Sequence, residues 1–161
     1  MGGGPDRSPD PREDTRNDTE GRLHRRPFRF METDMPAFGK RSLDCLASCH
    51  PDIQRLMNEA IKTATPDLDF AVICGHRTKA DQNAAVAAGN SKTPWPKSRH
   101  NTLPSEAADI VPYPIDWNDA PRFRKLAQHV KATAERIGVD IEWGGDWRGF
   151  VDMPHYQLRR R

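Results

Sequence analysis

Apolar residues recur at helical spacing in three parts of the chain. A short helix is predicted after Ser42, a suitable N-cap, with apolar positions at Leu43, Leu46 and Ala47. Pro51 opens a second helix, with an apolar face of Ile53, Leu56, Met57, Ala60, Ile61 and Ala64. A third helix, capped by Asp119 and followed by Gly138, carries Phe123, Leu126, Ala127, Val130, Ala134 and Ile137. Each of these helices is expected to bury one face in a core.

Four shorter segments have the pattern of strands. Residues 67–74 alternate and then run apolar, residues 139–143 alternate, and residues 151–158 are the last candidate. A brief apolar run follows Asp109 and ends at proline, which cannot continue a ladder. In the interval between residue 74 and Asp109, Thr78 and Gly89 are suitable N-terminal and C-terminal caps for a helix. Because no regular β-α-β series appears, we predict an α+β fold, with helices packed against a small antiparallel or mixed sheet.

The first 34 residues differ in composition from the rest. They contain seven arginines and eight acidic residues, but few strongly apolar side chains. Such a segment cannot bury enough surface to offset the entropy of ordering, so we predict a disordered tail over residues 1–34 and one domain over residues 35–161. The interspersed acidic residues weaken any basic patch, and we expect no nucleic-acid binding.

Charge and cysteine content narrow the class of protein further. The net charge is only +2 over 161 residues, and no apolar stretch approaches the length of a membrane span. Three cysteines and no apolar signal-peptide core indicate a reducing compartment, and we expect a monomer without membrane contact. Cys45, Cys49 and His50 could form a metal site, but thiols on a helix more often pack in a core, as we expect here.

Two histidines and an aspartate are the candidate chemistry of the chain. His100 and Asp109 lie on either side of a Pro/Ser turn, and His155 follows near the C-terminus. Two imidazoles and one carboxylate suit a catalytic zinc ion, which keeps a fourth position for water. Asp152, three residues before His155, could act as the base on that water, with Glu106 the nearest alternative in sequence. The alternative is that these residues have only structural roles, because most histidines in proteins are not metal ligands and aspartates commonly begin strands or cap turns.

The turn between the first strand and its helix contains Arg77. Side chains at such turns often point into a cleft, where a fixed cation could serve a reaction. The alternative is an ordinary surface cation. His129 lies off the apolar stripe of the long helix and is expected to be solvated.

Several motifs together resemble a family of metallopeptidases. Ser98-Arg99-His100, Ala107-Ala108-Asp109 and Asp152-Met153-Pro154-His155 resemble the S-x-H, A-x-D and [DE]-x-x-H elements of the D-alanyl-D-alanine carboxypeptidase group. Gly75–Thr78 matches its G-x-R-[ST] element, and Trp143–Trp147 matches its W-G-G-D-W run. Within that group the chain looks most similar to phage endolysins of the L-alanyl-D-glutamate peptidase type. The resemblance extends from Pro36 to Leu158 and implies a hedgehog/D,D-peptidase-like fold.

The resemblance also assigns roles to individual residues. It implies that His100, Asp109 and His155 bind zinc, that Asp152 is the general base, and that Arg77 stabilises the oxyanion. It further implies substrate contacts at two positions, Ser98 and Trp143. The interval between the first histidine and the aspartate is longer than usual, and Pro104-Ser105 replaces its glycine, so we expect the connecting loop to bulge.

The implied substrate is the peptidoglycan stem peptide, cut at an amide bond, with L-alanyl-D-glutamate the first expectation. The alternatives are a D,D-carboxypeptidase or dipeptidase of the same fold, and a zinc-stabilised binding module without turnover. A phage lysin of this kind is expected in the cytoplasm of the infected host before it reaches the periplasm and cell wall.

Overall fold

The computed structural model describes residues 35–160, within which lie four α-helices and four β-strands. The helices are α1 (Lys40–Ala47), α2 (Pro51–Lys62), α3 (Lys79–Ala87) and α4 (Ala120–Ile137). The strands are β1 (Phe70–Cys74), β2 (Ala107–Pro112), β3 (Ile141–Trp143) and β4 (His155–Leu158). The tail predicted for residues 1–34 lies outside the described residues.

The four strands form one sheet in the order β1-β2-β4-β3, and every neighbouring pair is antiparallel. This confirms the predicted α+β class and selects the antiparallel form of the sheet. The order of elements along the chain also agrees with the prediction. The two central strands, β2 and β4, carry the candidate metal ligands Asp109 and His155.

A hydrophobic core lies where α2 packs against α4 and where α1 and α4 pack against the sheet. Its fully buried members include Ile53, Leu56, Met57, Val72, Ile110, Val130 and Tyr156. Burial of each aliphatic side chain of this size contributes about 1.5–3 kcal/mol, which explains why the helical apolar stripes determine the fold. None of the helices within residues 35–160 combines the length and apolarity of a membrane span.

Two helix starts follow the predicted caps, but the cap predicted at Ser42 is wrong. Helix α1 begins at Lys40 after Gly39, and Ser42 is buried inside it, where its Oγ accepts from the Val72 N–H at 3.1 Å. Asp119 accepts a hydrogen bond from the Arg122 backbone N–H at 3.2 Å, at the start of α4. Thr78 and Asp81 form a reciprocal capping box at the start of α3. The cap of α2 was not predicted: His50 Nδ1 accepts from the Asp52 N–H at 3.1 Å. A short polar side chain is the usual signal for a cap, so a histidine in this role is easily overlooked.

All four strands begin at a different residue from the one predicted: β2 begins earlier, at Ala107, and β3 begins at Ile141 rather than at residue 139. β1 begins at Phe70 because residues 66–68 form a 3-10 turn, and β4 begins at His155 rather than at residue 151. The Asp152 N–H donates to the Gly144 carbonyl at 3.0 Å, and the His155 N–H donates to the Asp152 carbonyl at 3.2 Å. These bonds close a turn, and Pro154 has no N–H for a ladder, so Asp152 lies in a turn beside the sheet.

The environment of His129 also differs from the prediction. Its side chain is half-buried, and Nε2 lies 2.8 Å from the Ala60 carbonyl oxygen. Ala60 lies on α2, so this contact joins α4 to α2. A position beside the apolar stripe of a helix can therefore face a neighbouring helix and be partly shielded from solvent.

Candidate metal centre

Three side chains meet with their donor atoms in a small triangle. His100 Nε2 lies 3.1 Å from Asp109 Oδ1 and 3.2 Å from His155 Nδ1, and His155 Nδ1 lies 3.2 Å from Asp109 Oδ1. Both imidazoles are buried, and the Asp109 side chain is 14% exposed. The structure thus brings together the three residues that the sequence predicted as metal ligands.

The triangle has the size that a tetrahedral metal ion requires. For ligand bonds of about 2.0–2.1 Å, tetrahedral geometry separates neighbouring donor atoms by about 3.3 Å. The observed separations of 3.1–3.2 Å are close to this value. Two imidazole nitrogens and a carboxylate oxygen are also the donor set of catalytic zinc sites. The residues therefore fit a divalent metal ion held by three protein ligands.

The sheet register and one turn position these ligands. Asp109 of β2 is directly opposite His155 of β4, so the ladder between the central strands places the two side chains together. His100 lies in a 3-10 turn over residues 99–101, where its backbone N–H donates to Ser98 Oγ at 3.3 Å. Its carbonyl oxygen accepts from the Arg77 N–H at 2.8 Å. Ser98 thus positions His100 through the backbone.

The long loop between His100 and Asp109 is held against the start of α2. The Ser105 N–H donates to the Ser48 carbonyl at 2.9 Å, and the His50 N–H donates to the Ser105 carbonyl at 2.7 Å. Ser105 is fully buried. The insertion expected from the Pro104-Ser105 turn is therefore accommodated as an anchored loop, and both ends of the motif keep their places.

The other ring nitrogen of His100 fixes the tautomer of this residue. His100 Nδ1 lies 2.7 Å from the Gly75 carbonyl oxygen, so Nδ1 carries the proton and Nε2 faces the triangle.

A side chain at Gly75 would clash, because a Cβ there would lie 2.2 Å from the Cys45 carbonyl oxygen. The glycine of the G-x-R-[ST] element is thus required by close packing beside the site.

Strong electrostatic coupling links His100 and Asp109. Burial lowers the pKa of His100, but the charge of Asp109 and the hydrogen bond to it outweigh burial and raise this pKa to about 10. Burial raises the pKa of Asp109, but the charges and hydrogen bonds of His100 and His155 hold it well below its ordinary value. Without a metal ion, His100 therefore holds a proton at neutral pH where the ion would bind.

Metal affinity is expected to rise with pH, because the ion must displace this proton from His100 Nε2. Below the raised pKa of about 10 the imidazole is charged, so affinity should fall by up to about tenfold for each pH unit from about 8 to 6. Chelator competition across this range would measure the slope, and calorimetry in buffers of different ionisation enthalpy would count released protons. A pH-independent affinity without proton release would contradict the expectation.

Asp152 lines the same cavity as the three candidate ligands. Burial raises its pKa, and the nearby Asp109 carboxylate adds to this effect. The turn that holds Asp152 depends on Gly144, where a Cβ would lie 2.3 Å from the Asp152 carbonyl oxygen. A carboxylate with a raised pKa beside a metal site is suited to accept and return a proton.

Arg77 is a component of the site, in contrast to the alternative of a surface cation. Its Nη2 donates to Asp109 Oδ2 at 3.2 Å, and its Nη1 donates to Gln82 Oε1 at 3.1 Å. Its side chain is only 16% exposed. Arg77 therefore holds the Asp109 oxygen that is outside the triangle and leaves Oδ1 directed at the two histidines.

Gln82 and Asn101 belong to the hydrogen-bond network around Arg77, and the sequence analysis did not identify either of them. Gln82 is fully buried on α3, and its amide nitrogen donates to the Thr93 carbonyl and to Ser91 Oγ. Its oxygen accepts from both Arg77 and Asn101. This network connects the loop over residues 91–93 to the guanidinium. The signal available in the sequence was the glutamine itself. A buried amide is normally fully hydrogen-bonded, so a glutamine that is buried on an otherwise exposed helix indicates several polar partners around it.

Two of the cysteines, Cys74 and Cys49, have different environments. Cys74 has a donor atom within 4.8 Å of atoms from His100 and Asp109, a second group that could hold a metal ion. Its sulfur lies 3.9 Å from His100 Nδ1, however, and Nδ1 is already bonded to Gly75. The triangle with His155 therefore fits a metal ion better than the group with Cys74 does. Cys49 packs in the core, as expected, and burial raises its pKa to about 12.

An open cavity of about 850 Å³ surrounds the candidate ligands. Ser98 and Trp147 line it, and the Trp147 ring lies 5.0 Å from the His155 ring. Trp143 is in a different environment: it is 5% exposed in the core, and its indole N–H donates to the Met153 carbonyl at 2.6 Å. Trp143 therefore supports the segment before His155, and this position does not favour the substrate contact predicted for it. The contact predicted for Ser98 stays a prediction.

Comparisons with known proteins agree with these features. Residues 35–159 match the family model described as phage L-alanyl-D-glutamate peptidase. An L-alanyl-D-glutamate peptidase of Escherichia phage T5 is 32% identical over 127 residues, which are 76% of this chain and 89% of that protein. A Listeria phage A118 protein of the same name is 44% identical over 85 residues, 51% of this chain and 27% of that protein.

A solved structure extends the comparison to the fold. The crystal structure of the Serratia marcescens L-Ala D-Glu endopeptidase ChiX aligns with a TM-score of 0.65 and 33% sequence identity. The alignment covers 76% of this chain and 90% of that protein. The match to the family model, the two relatives and the shared fold confirm the resemblance seen in the motifs. The chain therefore belongs to the phage L-alanyl-D-glutamate peptidase family.

Proposed function

We propose that this protein is a zinc-dependent peptidoglycan peptidase that hydrolyses the L-alanyl-D-glutamate bond of the stem peptide. The observation that carries the proposal is the triangle of His100 Nε2, Asp109 Oδ1 and His155 Nδ1, in the same cavity as Asp152. The names of the relatives supply the bond.

The donor set supports zinc as the metal ion. Two imidazoles with one carboxylate leave a fourth tetrahedral position for water or substrate, as catalytic zinc sites require. When bound, zinc would polarise the scissile carbonyl and make a water molecule acidic enough to be deprotonated near neutral pH. His100, Asp109 and His155 would hold the ion and leave one side open to the cavity.

Asp152 supplies the proton transfers of the proposed reaction. Asp152 accepts the proton of the attacking water and then donates it to the amine that leaves. Its raised pKa makes this return of the proton easier than for an exposed aspartate. The oxygen of the scissile carbonyl gains negative charge, and we propose that Arg77 stabilises it from its fixed position beside Asp109.

Arg77→Ala is expected to lower kcat much more than it raises KM, because oxyanion stabilisation acts only in the transition state. The loss should be about 10²- to 10³-fold, and Arg77→Lys should restore only part of it, since an ammonium lacks the planar fork. Kinetics on a soluble stem peptide at saturating zinc would separate this effect from weaker metal binding caused by loss of the Asp109 contact.

The control for this prediction is Arg55→Ala, which removes an exposed arginine that contacts Asp52 and the Ile137 carbonyl. It should keep wild-type kinetics. A wild-type kcat for Arg77→Ala would show that the arginine serves only to hold Asp109.

Mass spectrometry of digested peptidoglycan tests the proposed bond. Purified protein with zinc should create new alanine C-termini and glutamate N-termini. Release of a terminal D-alanine would support the D,D-carboxypeptidase alternative, and binding without new termini would support the non-catalytic module.

We also propose that the protein acts as a monomer made in the cytoplasm of an infected cell before it reaches the wall. Three free cysteines within the described domain support a reducing compartment for synthesis. Fractionation of infected cells, with size-exclusion chromatography of the purified protein, would test both parts.

A further inference from the structure

The second ring nitrogen of His155 has a partner outside the recognised motifs. His155 Nε2 lies 2.9 Å from Gln157 Oε1, and the Gln157 amide nitrogen contacts a carboxylate oxygen of Glu142. Gln157 of β4 and Glu142 of β3 are directly opposite each other, so the sheet register keeps them together. The three side chains form a chain of hydrogen bonds that runs from the candidate metal centre across two strands.

The direction of each hydrogen bond in this chain follows from which groups can donate and which can only accept. A carboxylate accepts hydrogen bonds and cannot donate, so Gln157 must direct its amide nitrogen toward Glu142 and its oxygen toward His155. An amide oxygen also only accepts, which places a proton on His155 Nε2. In the neutral ring, Nδ1 then has a free lone pair, and Nδ1 is the atom that faces His100 and Asp109.

The opposite orientation of the Gln157 amide would remove a metal ligand. With its nitrogen toward His155, Nε2 would have to accept, and the ring proton would move to Nδ1. A neutral amide at position 142 would permit either orientation, because an amide both donates and accepts. The negative charge of Glu142 therefore selects the orientation of Gln157, and Gln157 selects the tautomer of His155.

We propose that Glu142 and Gln157 are positioning residues that hold His155 in the tautomer whose Nδ1 binds the metal ion. The inference rests on the proposed metal-dependent function and adds two residues to the site. Both act through His155. Loss of such a partner of a metal-binding histidine typically lowers metal affinity by about 10- to 100-fold.

The test is an exchange of the two side chains. Glu142→Gln removes both the acceptor-only group and the negative charge that strengthens the hydrogen bonds of Gln157, and zinc affinity measured by chelator competition should fall by up to about 10- to 100-fold. Adding Gln157→Glu moves the carboxylate beside His155, where it accepts from Nε2 and from the amide introduced at position 142. The double variant should therefore recover most of the lost affinity. Nitrogen-15 NMR of the zinc-loaded wild type should show His155 with its proton on Nε2.

Asp140→Asn is the matched control, because it neutralises a carboxylate directly before β3 whose partner is Arg159, at 3.7 Å. Its zinc affinity should equal that of the wild type, and melting temperatures would identify variants that fail to fold.

Wild-type zinc affinity in Glu142→Gln would overturn the proposal, as would a folded double variant with no recovery or NMR evidence that His155 binds through Nε2. Failure of the proposed function has a different signature: these affinity differences would persist in a protein that does not cut peptidoglycan.

Discussion

Asp152→Ala is expected to lower turnover by about 10²- to 10⁴-fold while zinc content and melting temperature stay near their wild-type values. The carboxylate lines the cavity beside the candidate ligands but is not part of their triangle, so its loss should leave the ion in place. Asp152→Asn should be similarly impaired, because an amide of the same shape cannot accept the proton from water. Steady-state kinetics on a soluble stem peptide, with metal analysis of each variant, would measure the effect.

The matched control for this variant is Asp146→Ala, which removes a more exposed carboxylate that pairs with Lys131. Its turnover should stay close to that of the wild type. Near-full activity of Asp152→Ala would require a different base. Glu106, the nearest alternative in sequence, is poorly suited to that role because it is held by ion pairs with Arg99 and Arg160.

His155→Ala is expected to lose the metal ion and, with it, almost all hydrolysis. If three ligands share a binding free energy of about 10–16 kcal/mol, loss of one costs roughly 3–5 kcal/mol, or about 10²- to 10⁴-fold in affinity. Elemental analysis of the purified variant should find little zinc, compared with about one ion per chain in the wild type. A strong chelator should likewise inactivate the wild type, and added zinc should restore it.

His129→Ala is the control for loss of an imidazole, because this residue contacts the Ala60 carbonyl between two helices instead of the site. It should keep its zinc and its turnover, with a modest loss of stability. Active protein that contains no stoichiometric metal would refute the zinc-dependent mechanism altogether.

The sequence by itself determined the elements and the kinds of side chain at the site. The apolar stripes of α2 and α4, and the caps at Thr78 and Asp119, are local signals, because a helix repeats every 3.6 residues and its ends leave unpaired N–H groups. The three candidate ligands were recognisable for another reason: their residue types and short motifs suit a single metal ion. The family followed from the same motifs.

The strand boundaries show where local pattern fails. Residues 151–154 look like the start of β4, but hydrogen bonds from Asp152 and His155 close a turn there. The family resemblance implied a substrate contact at Trp143, whereas packing buries this side chain in the core, with its indole N–H donating to the Met153 carbonyl. Both outcomes depend on which backbone groups and cavities the neighbouring segments offer, and a pattern along one segment does not contain this information.

The tertiary structure alone decided how the site is assembled. Asp109 and His155 are 46 residues apart in sequence, and the register of β2 with β4 brings them together. The same sheet places Gln157 opposite Glu142, which determines the ring nitrogen that His155 presents. A shift of one residue in this register would turn these side chains to the other face of the sheet. The register depends on the packing of the sheet against α1 and α4, so no motif could specify these contacts.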